Sequence, residues 1–79
     1  MEREQILKEI NAIFIDILDN EDIVLTSETT AADVDGWDSL THIQLVVAFE
    51  NHFGIRFTTL EIQGWENVGA IVACISSKC

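Results

Sequence analysis

Two groups of residues in this sequence place chemically able side chains close together. Asp38, Ser39 and His42 combine a carboxylate, a hydroxyl and an imidazole, and Asp33, Asp35 and Gly36 stand just before them. The first group has the residue types of a hydrolase triad, with Ser39 and His42 three apart on one helical face. An acid adjacent to the serine cannot readily orient a histidine behind it, however, and no nucleophile elbow surrounds the serine, so catalysis by this trio is not expected. The second group has the acids and glycine of a calcium loop. Setting Gly36 at that loop's glycine puts Ala31 at the first ligand position and His42 where a bidentate Glu belongs, which excludes the motif. His42 and His52 have no acid or thiol at ligand spacing and read as satisfied or solvated histidines.

What remains is the hydroxyl of Ser39 and its position. Asp38 stands where a helix begins and can accept a hydrogen bond from a free amide of the first turn. Ser39 then falls in that turn, where a hydroxyl projects toward solvent. A phosphate attached to it would meet the positive end of the helix dipole and unpaired amides. Taken alone, Asp38-Ser39-Leu40 is simply a cap; its surroundings give it further meaning.

The elements that must position Ser39 are helical. Ile6, Ile10, Ile13, Phe14 and Ile17 recur at steps of three and four, predicting a first helix from about Glu2 to Leu18. Asp19-Asn20-Glu21-Asp22 breaks it, and a connection of about nineteen residues runs on to Trp37. A segment that long needs anchoring, and Ile23, Leu25, Val34 and a short helical turn are expected to supply it. A second helix is predicted from Ser39 to His52 or Phe53, with Leu40, Ile43, Val46, Val47, Glu50 and Phe53 at helical spacing and Gly54 where it ends. After an extended return at Ile55-Arg56-Phe57, Thr58 or Thr59 can cap a brief third helix through Leu60 and Ile62 to Gly64. Asn67 can cap a fourth carrying Val68, Ile71, Val72 and Ile75. The expected fold is all-α: a small four-helix bundle with a long first loop and a short third helix, in a single domain over residues 1–79. Trp37 and Trp65 are expected to plug the core where the loops meet it.

With 79 residues the chain has little volume for a substrate cleft, which argues against a self-contained enzyme, while 48% apolar residues suffice for a core. The net charge is −10, and Glu9 to Ile55 contains ten acids and no Lys or Arg. Such a surface repels nucleic acid and anionic membranes and attracts proteins with basic patches, although it also serves solubility. No apolar run nears the roughly 20 residues of a membrane span, and Met1-Glu2-Arg3-Glu4 lacks the layout of a signal peptide, so a cytoplasmic setting is expected. Cys74 and Cys79, five apart near the end of a helix, diverge too far for a relaxed disulfide. Cys74 is expected in the core and Cys79 as a mobile terminal thiol, neither with the basic surroundings of a reactive cysteine.

The stretch Gly36-Trp37-Asp38-Ser39-Leu40 through Phe53-Gly54-Ile55-Arg56-Phe57 resembles the acyl carrier protein family, in which the serine of an Asp-Ser-Leu motif at the start of helix two bears 4′-phosphopantetheine. The helix count, long first loop, short third helix and acidic charge extend the resemblance over the full chain. It implies that Ser39 is the attachment site, loaded by a phosphopantetheinyl transferase (holo carrier synthase) from coenzyme A with a magnesium ion. It also implies that the protein itself catalyses nothing, that acyl thioesters ride on the arm, and that the bundle can bury a lipid-like chain. Acyl-loading, condensing and modifying enzymes of fatty acid, polyketide or related specialised biosynthesis would be its partners, with the carrier as a monomer. Carried over by position, Asp38, Leu40, Ile43, Val47 and Glu50 would meet those partners.

For Leu40, Ile43 and Val47 the competing reading is ordinary core packing of at least part of each side chain, which helical periodicity by itself favours. Thr41, Gln44 and Asn51 are neutral where carriers of fatty acid synthesis are usually acidic. The serine is also not preceded by the Gly-Gly-His of many peptidyl carriers, whereas a Trp-Asp-Ser form occurs among free-standing carriers of several pathways. Both features favour a specialised pathway. The alternative from another class is an acidic helical adaptor that fills a partner's groove with no covalent cofactor.

Overall fold

The computed structural model describes residues 2–78; Cys79 lies outside them. Four α-helices form, and no strand occurs among the described residues. Helix α1, Arg3–Leu18, is the organising element and packs against both α2, Ser39–Phe53, and α4, Val68–Lys78. Its apolar stripe accounts for this: Ile6, Ile10 and Phe14 are fully buried, with Ile13 and Ile17 packed beside them. The helix ends where Asp19 takes a left-handed conformation.

The long connection is held on both sides. Ile23, Leu25 and Val34 reach the core, and a 3-10 turn, Ala31–Asp33, shortens the path. Asn11 on α1 ties the loop down with both ends of its amide: its Oδ1 accepts from the Leu25 N–H at 2.7 Å and its Nδ2 donates to the Ile23 carbonyl at 3.2 Å. Loop carbonyls in turn satisfy the first free amides of α4, with Val68 N–H donating to Thr29 O and Gly69 N–H to Ser27 O, each at 2.8 Å. The Asn67 side chain accepts from Ala70 N–H at 2.9 Å, the capping role its position predicts. Asp33, half of the calcium-like pair, uses its Oδ2 to accept from the Thr30 N–H and hydroxyl.

Helix α2 corrects the sequence reading. The expected buried stripe included Leu40, Ile43 and Val47, yet these are 67%, 63% and 50% exposed. Val46, which that stripe also held, is buried, and Leu45 and Phe49 complete the buried face with it. Both triplets repeat at helical intervals and lie on different sides of the cylinder, so spacing alone does not say which one faces α1.

Gly54 closes α2 in a left-handed conformation (φ 68°), as the glycine signal predicts. The chain returns through Ile55-Arg56-Phe57 to α3, Thr59–Gln63, a five-residue helix with no buried side chain. Polar contacts hold it. Thr58 caps it by accepting from Glu61 N–H, and Glu61 answers by accepting from Thr58 N–H at 2.8 Å. The other Glu61 oxygen meets Lys78 at 3.0 Å and accepts from the Cys74 thiol at 3.4 Å. Cys74 is therefore half-buried and polar-bonded, not a simple core hydrophobe, and burial raises its pKa. Donation from the Thr58 amide, followed by the Lys78 ammonium, lowers the Glu61 pKa to about 2.

Candidate functional site

The site grows from the start of α2. Asp38 is the N-cap: its Oδ1 accepts from the amides of Leu40 and Thr41, each at 3.0 Å. Thr41 reciprocates, its hydroxyl accepting from Asp38 N–H at 2.8 Å and donating to the Gly36 carbonyl at 2.6 Å. This capping box fixes both sides of Ser39, and Gly36 turns the chain into it with a φ of 88°. The amide of Thr41, first, and then that of Leu40 hold the Asp38 carboxyl below its usual pKa. The neutral Thr41 thus has a structural task that its sequence position three beyond Asp38 could have revealed.

Ser39 is the first helical residue and is exposed. Its environment does not build a nucleophile. The Asp38 carboxylate is spent on amides and is not placed behind His42. Instead, the indole N–H of Trp37 donates to His42 Nδ1 at 3.1 Å, and burial lowers the imidazole's pKa. The two rings lie near parallel, 14° apart with centroids at 6.1 Å. Trp37 is braced edge-on by Phe14 at 4.9 Å, and His42 meets Trp65 at 5.9 Å. Both tryptophans are half-buried against the core, as expected.

Beyond Ser39, the exposed Leu40, Ile43 and Val47 form a ridge along α2, and Leu60 on α3, 82% exposed, is a further large apolar residue in the open. Leu60 escaped the sequence reading because a five-residue helix offers too little periodicity to tell its faces apart. Asp38 is exposed at the head of the same helix. Glu50 differs from the others: its Oε2 accepts from Phe57 N–H at 2.9 Å, so it also holds the return to α3. His52, read as satisfied or solvated, is satisfied: it pairs through Nε2 with Glu9 Oε1 at 2.7 Å, a contact between α1 and α2 that no local spacing signals. That bond is the largest cause of a lowered Glu9 pKa.

Among the described residues no helix is long and apolar enough to cross a membrane. Residues 8–75 match the family described as "Phosphopantetheine attachment site". An acyl carrier protein of Thermotoga maritima is 32% identical over 76 residues, spanning 96% of this chain and 94% of that protein. The solution structure of a holo acyl carrier protein from Geobacter metallireducens superimposes with a TM-score of 0.86 at 42% identity, covering 91% of this chain and 83% of that one. A Mycobacterium tuberculosis structure, 28% identical, shares the fold with a TM-score of 0.81 over 91% of this chain and 96% of its own. These matches set aside the adaptor without a cofactor: the chain belongs to the acyl carrier protein family, whose members carry acyl groups on covalently attached phosphopantetheine and are not themselves catalysts.

Proposed function

We propose that Ser39 is the residue that bears the 4′-phosphopantetheine arm, and that the ridge of Leu40, Ile43 and Val47 is where partner enzymes dock. One observation carries this reading: an exposed serine opens α2, in a turn whose capping box ties the backbone on either side of it. The site suits an anionic phosphodiester, because the dipole of a 15-residue helix ends there. Asp38 organises the turn, and Trp37 with His42 walls off its loop side.

The arm supplies a terminal thiol for thioester cargo, and its flexibility raises the cargo's effective concentration at each partner's active site. The chain's own part is to present Ser39 and to be recognised. Leu40, Ile43 and Val47 would enter apolar recesses of a partner, while exposed Asp38 and the acids of the first loop meet its basic rim. Glu50, engaged with Phe57, serves more to shape the far end of this surface than to form a free charge on it. Gln44 and Asn51, exposed and neutral, lower the charge of the docking helix. This favours partners in a specialised acyl pathway that read apolar shape more than charge. A phosphopantetheinyl transferase, acyl-loading enzymes, condensing enzymes and modifying enzymes are the expected partners. The free thiol of Cys74 fits a reducing, cytoplasmic setting.

The test is intact mass spectrometry after incubation with coenzyme A, magnesium and a broad-specificity transferase. The parent chain is expected to gain one phosphopantetheine and Ser39→Ala none, both folded by circular dichroism. A gain in the variant, or none in the parent with several transferases, would remove Ser39 from the role.

A further inference from the structure

At the end of α2 far from Ser39, where the docking ridge runs out, Val47, Glu50, Asn51, Gly54 and Arg56 line an open groove of about 570 Å³. Gly54 shapes it: its left-handed turn ends α2 and sends the chain back, so that Arg56 joins Val47 and Asn51 around one hollow. We propose that this groove receives a side-chain carboxylate of the partner enzyme, paired with the Arg56 guanidinium, and that the pair sets the direction in which a partner lies along α2; this rests on Leu40, Ile43 and Val47 being the docking ridge.

Charge selects that occupant. Arg56 is the one Lys or Arg between Glu9 and Ser77 in a chain of net charge −10, and it is exposed. Among the described residues the ion pairs are His52–Glu9 and Lys78–Glu61, and Arg56 belongs to neither. Glu50, the acid that shares the groove, is half-buried and turns its Oε2 to the Phe57 N–H at 2.9 Å, which leaves Arg56 as the exposed charge. A guanidinium in that condition takes a carboxylate in a two-pronged pair, and the Asn51 amide beside it adds a further donor. Val47 is half exposed and lines the same groove, so an apolar side chain next to the incoming carboxylate packs where the ridge ends.

Distance keeps the two ends of α2 electrically separate. Asp38 caps one end of the 15-residue helix and Asn51 stands near the other, about 20 Å away along the axis, against a screening length of about 8 Å at physiological ionic strength. A partner therefore meets negative charge beside Ser39 and positive charge at the far end, with the apolar ridge between. An enzyme basic along its whole docking face meets like charge at Arg56. One with a basic rim at its active-site mouth and an acid about 20 Å away fits only one way round. A second copy of this chain also carries acids, but two chains of net charge −10 repel each other.

The probe is the acyl-loading ligase of the same organism that acylates the holo carrier, with arm loading of every carrier verified by mass. KM for the carrier is measured at low and high salt for the parent, Arg56→Gln, Arg56→Glu and Ile43→Ser, all folded by circular dichroism. It is expected to rise about 2–5-fold in Arg56→Gln and about 5–20-fold in Arg56→Glu at unchanged kcat, with both losses shrinking at high salt. Among exchanges to Lys of the ligase's surface acids about 20 Å from its active-site mouth, one is expected to restore KM for Arg56→Glu and not for the parent; none doing so overturns the pairing. An unchanged or lower KM in Arg56→Glu, or a rise that salt does not reduce, also overturns it, while the ridge keeps its role if Ile43→Ser raises KM. An unchanged KM in Ile43→Ser removes the ridge as docking face, and the groove's role falls with it. Self-association of the parent in sedimentation equilibrium, abolished by Arg56→Glu, would make a second copy the occupant and overturn the enzyme's carboxylate.

Discussion

The indole N–H of Trp37 donates to Nδ1 of His42 across 3.1 Å, bridging over the turn that carries Asp38 and Ser39. An Nδ1 that accepts must be unprotonated, so this bond requires a neutral ring, and burial pushes the His42 pKa below its ordinary value of 6.5 in the same direction. Below pH 6.5 the unfolded chain binds the proton more readily than the folded one. The stabilisation is therefore complete above that value and is lost as pH falls through the folded pKa. Urea midpoints measured from about pH 8 down to pH 5.5 should decline in the parent and decline less in His42→Phe, which keeps an aromatic ring but cannot titrate. Equal slopes would mean that His42 titrates alike in both states.

Asp38→Ala removes the acceptor for two amides and one half of the capping box. The expected result is a fall of a few degrees in Tm and faster hydrogen exchange at Leu40 and Thr41, with α4 amides unaffected. Asp38→Asn, which keeps an acceptor, should recover most of the loss.

Gly69 sits in the first turn of α4, where a Cβ would lie 2.7 Å from the Ser27 carbonyl oxygen and 3.3 Å from Asn67 Oδ1. Ala normally gains up to about 1 kcal/mol over Gly in a helix. Here the crowding, against the same carbonyl that accepts from Gly69 N–H, should cost about 1–3 kcal/mol and decide the sign. Chemical denaturation of Gly69→Ala should show a lower midpoint; an unchanged or higher midpoint would show that the loop yields freely.

Ile43→Ser and Val47→Ser change exposed side chains, so stability should move by no more than about 0.5 kcal/mol. With a partner enzyme, KM for the carrier should rise about 5–10-fold at unchanged kcat, equivalent to roughly 1–1.4 kcal/mol of docking. Leu45→Ala, fully buried on the same helix, should instead cost about 2–5 kcal/mol of folding stability. A loss of stability in the serine variants comparable to that of Leu45→Ala would contradict the division of α2 into two faces.

The parts of this protein legible in its sequence are those governed by neighbours within about one helical turn. The stripe of α1, the start of α2 at Asp38, the stop at Gly54 and the caps at Thr58 and Asn67 each follow from propensity and hydrogen bonding over three or four residues, and each stands where the spacing predicts. The anchors of the long loop were visible as isolated apolar residues in a polar stretch. Which way α2 faces was not visible, because Leu40, Ile43 and Val47 repeat at the same intervals as a core stripe, and only the packing of Leu45 and Phe49 against α1 leaves them outside. The Glu9–His52 pair, the Asn11 clamp on Leu25 and the loop carbonyls capping α4 join residues distant in the chain. A sequence specifies such contacts only through the complete fold, since side-chain burial and hydrogen-bond partners there are set by how the helices close on one another and not by any local spacing.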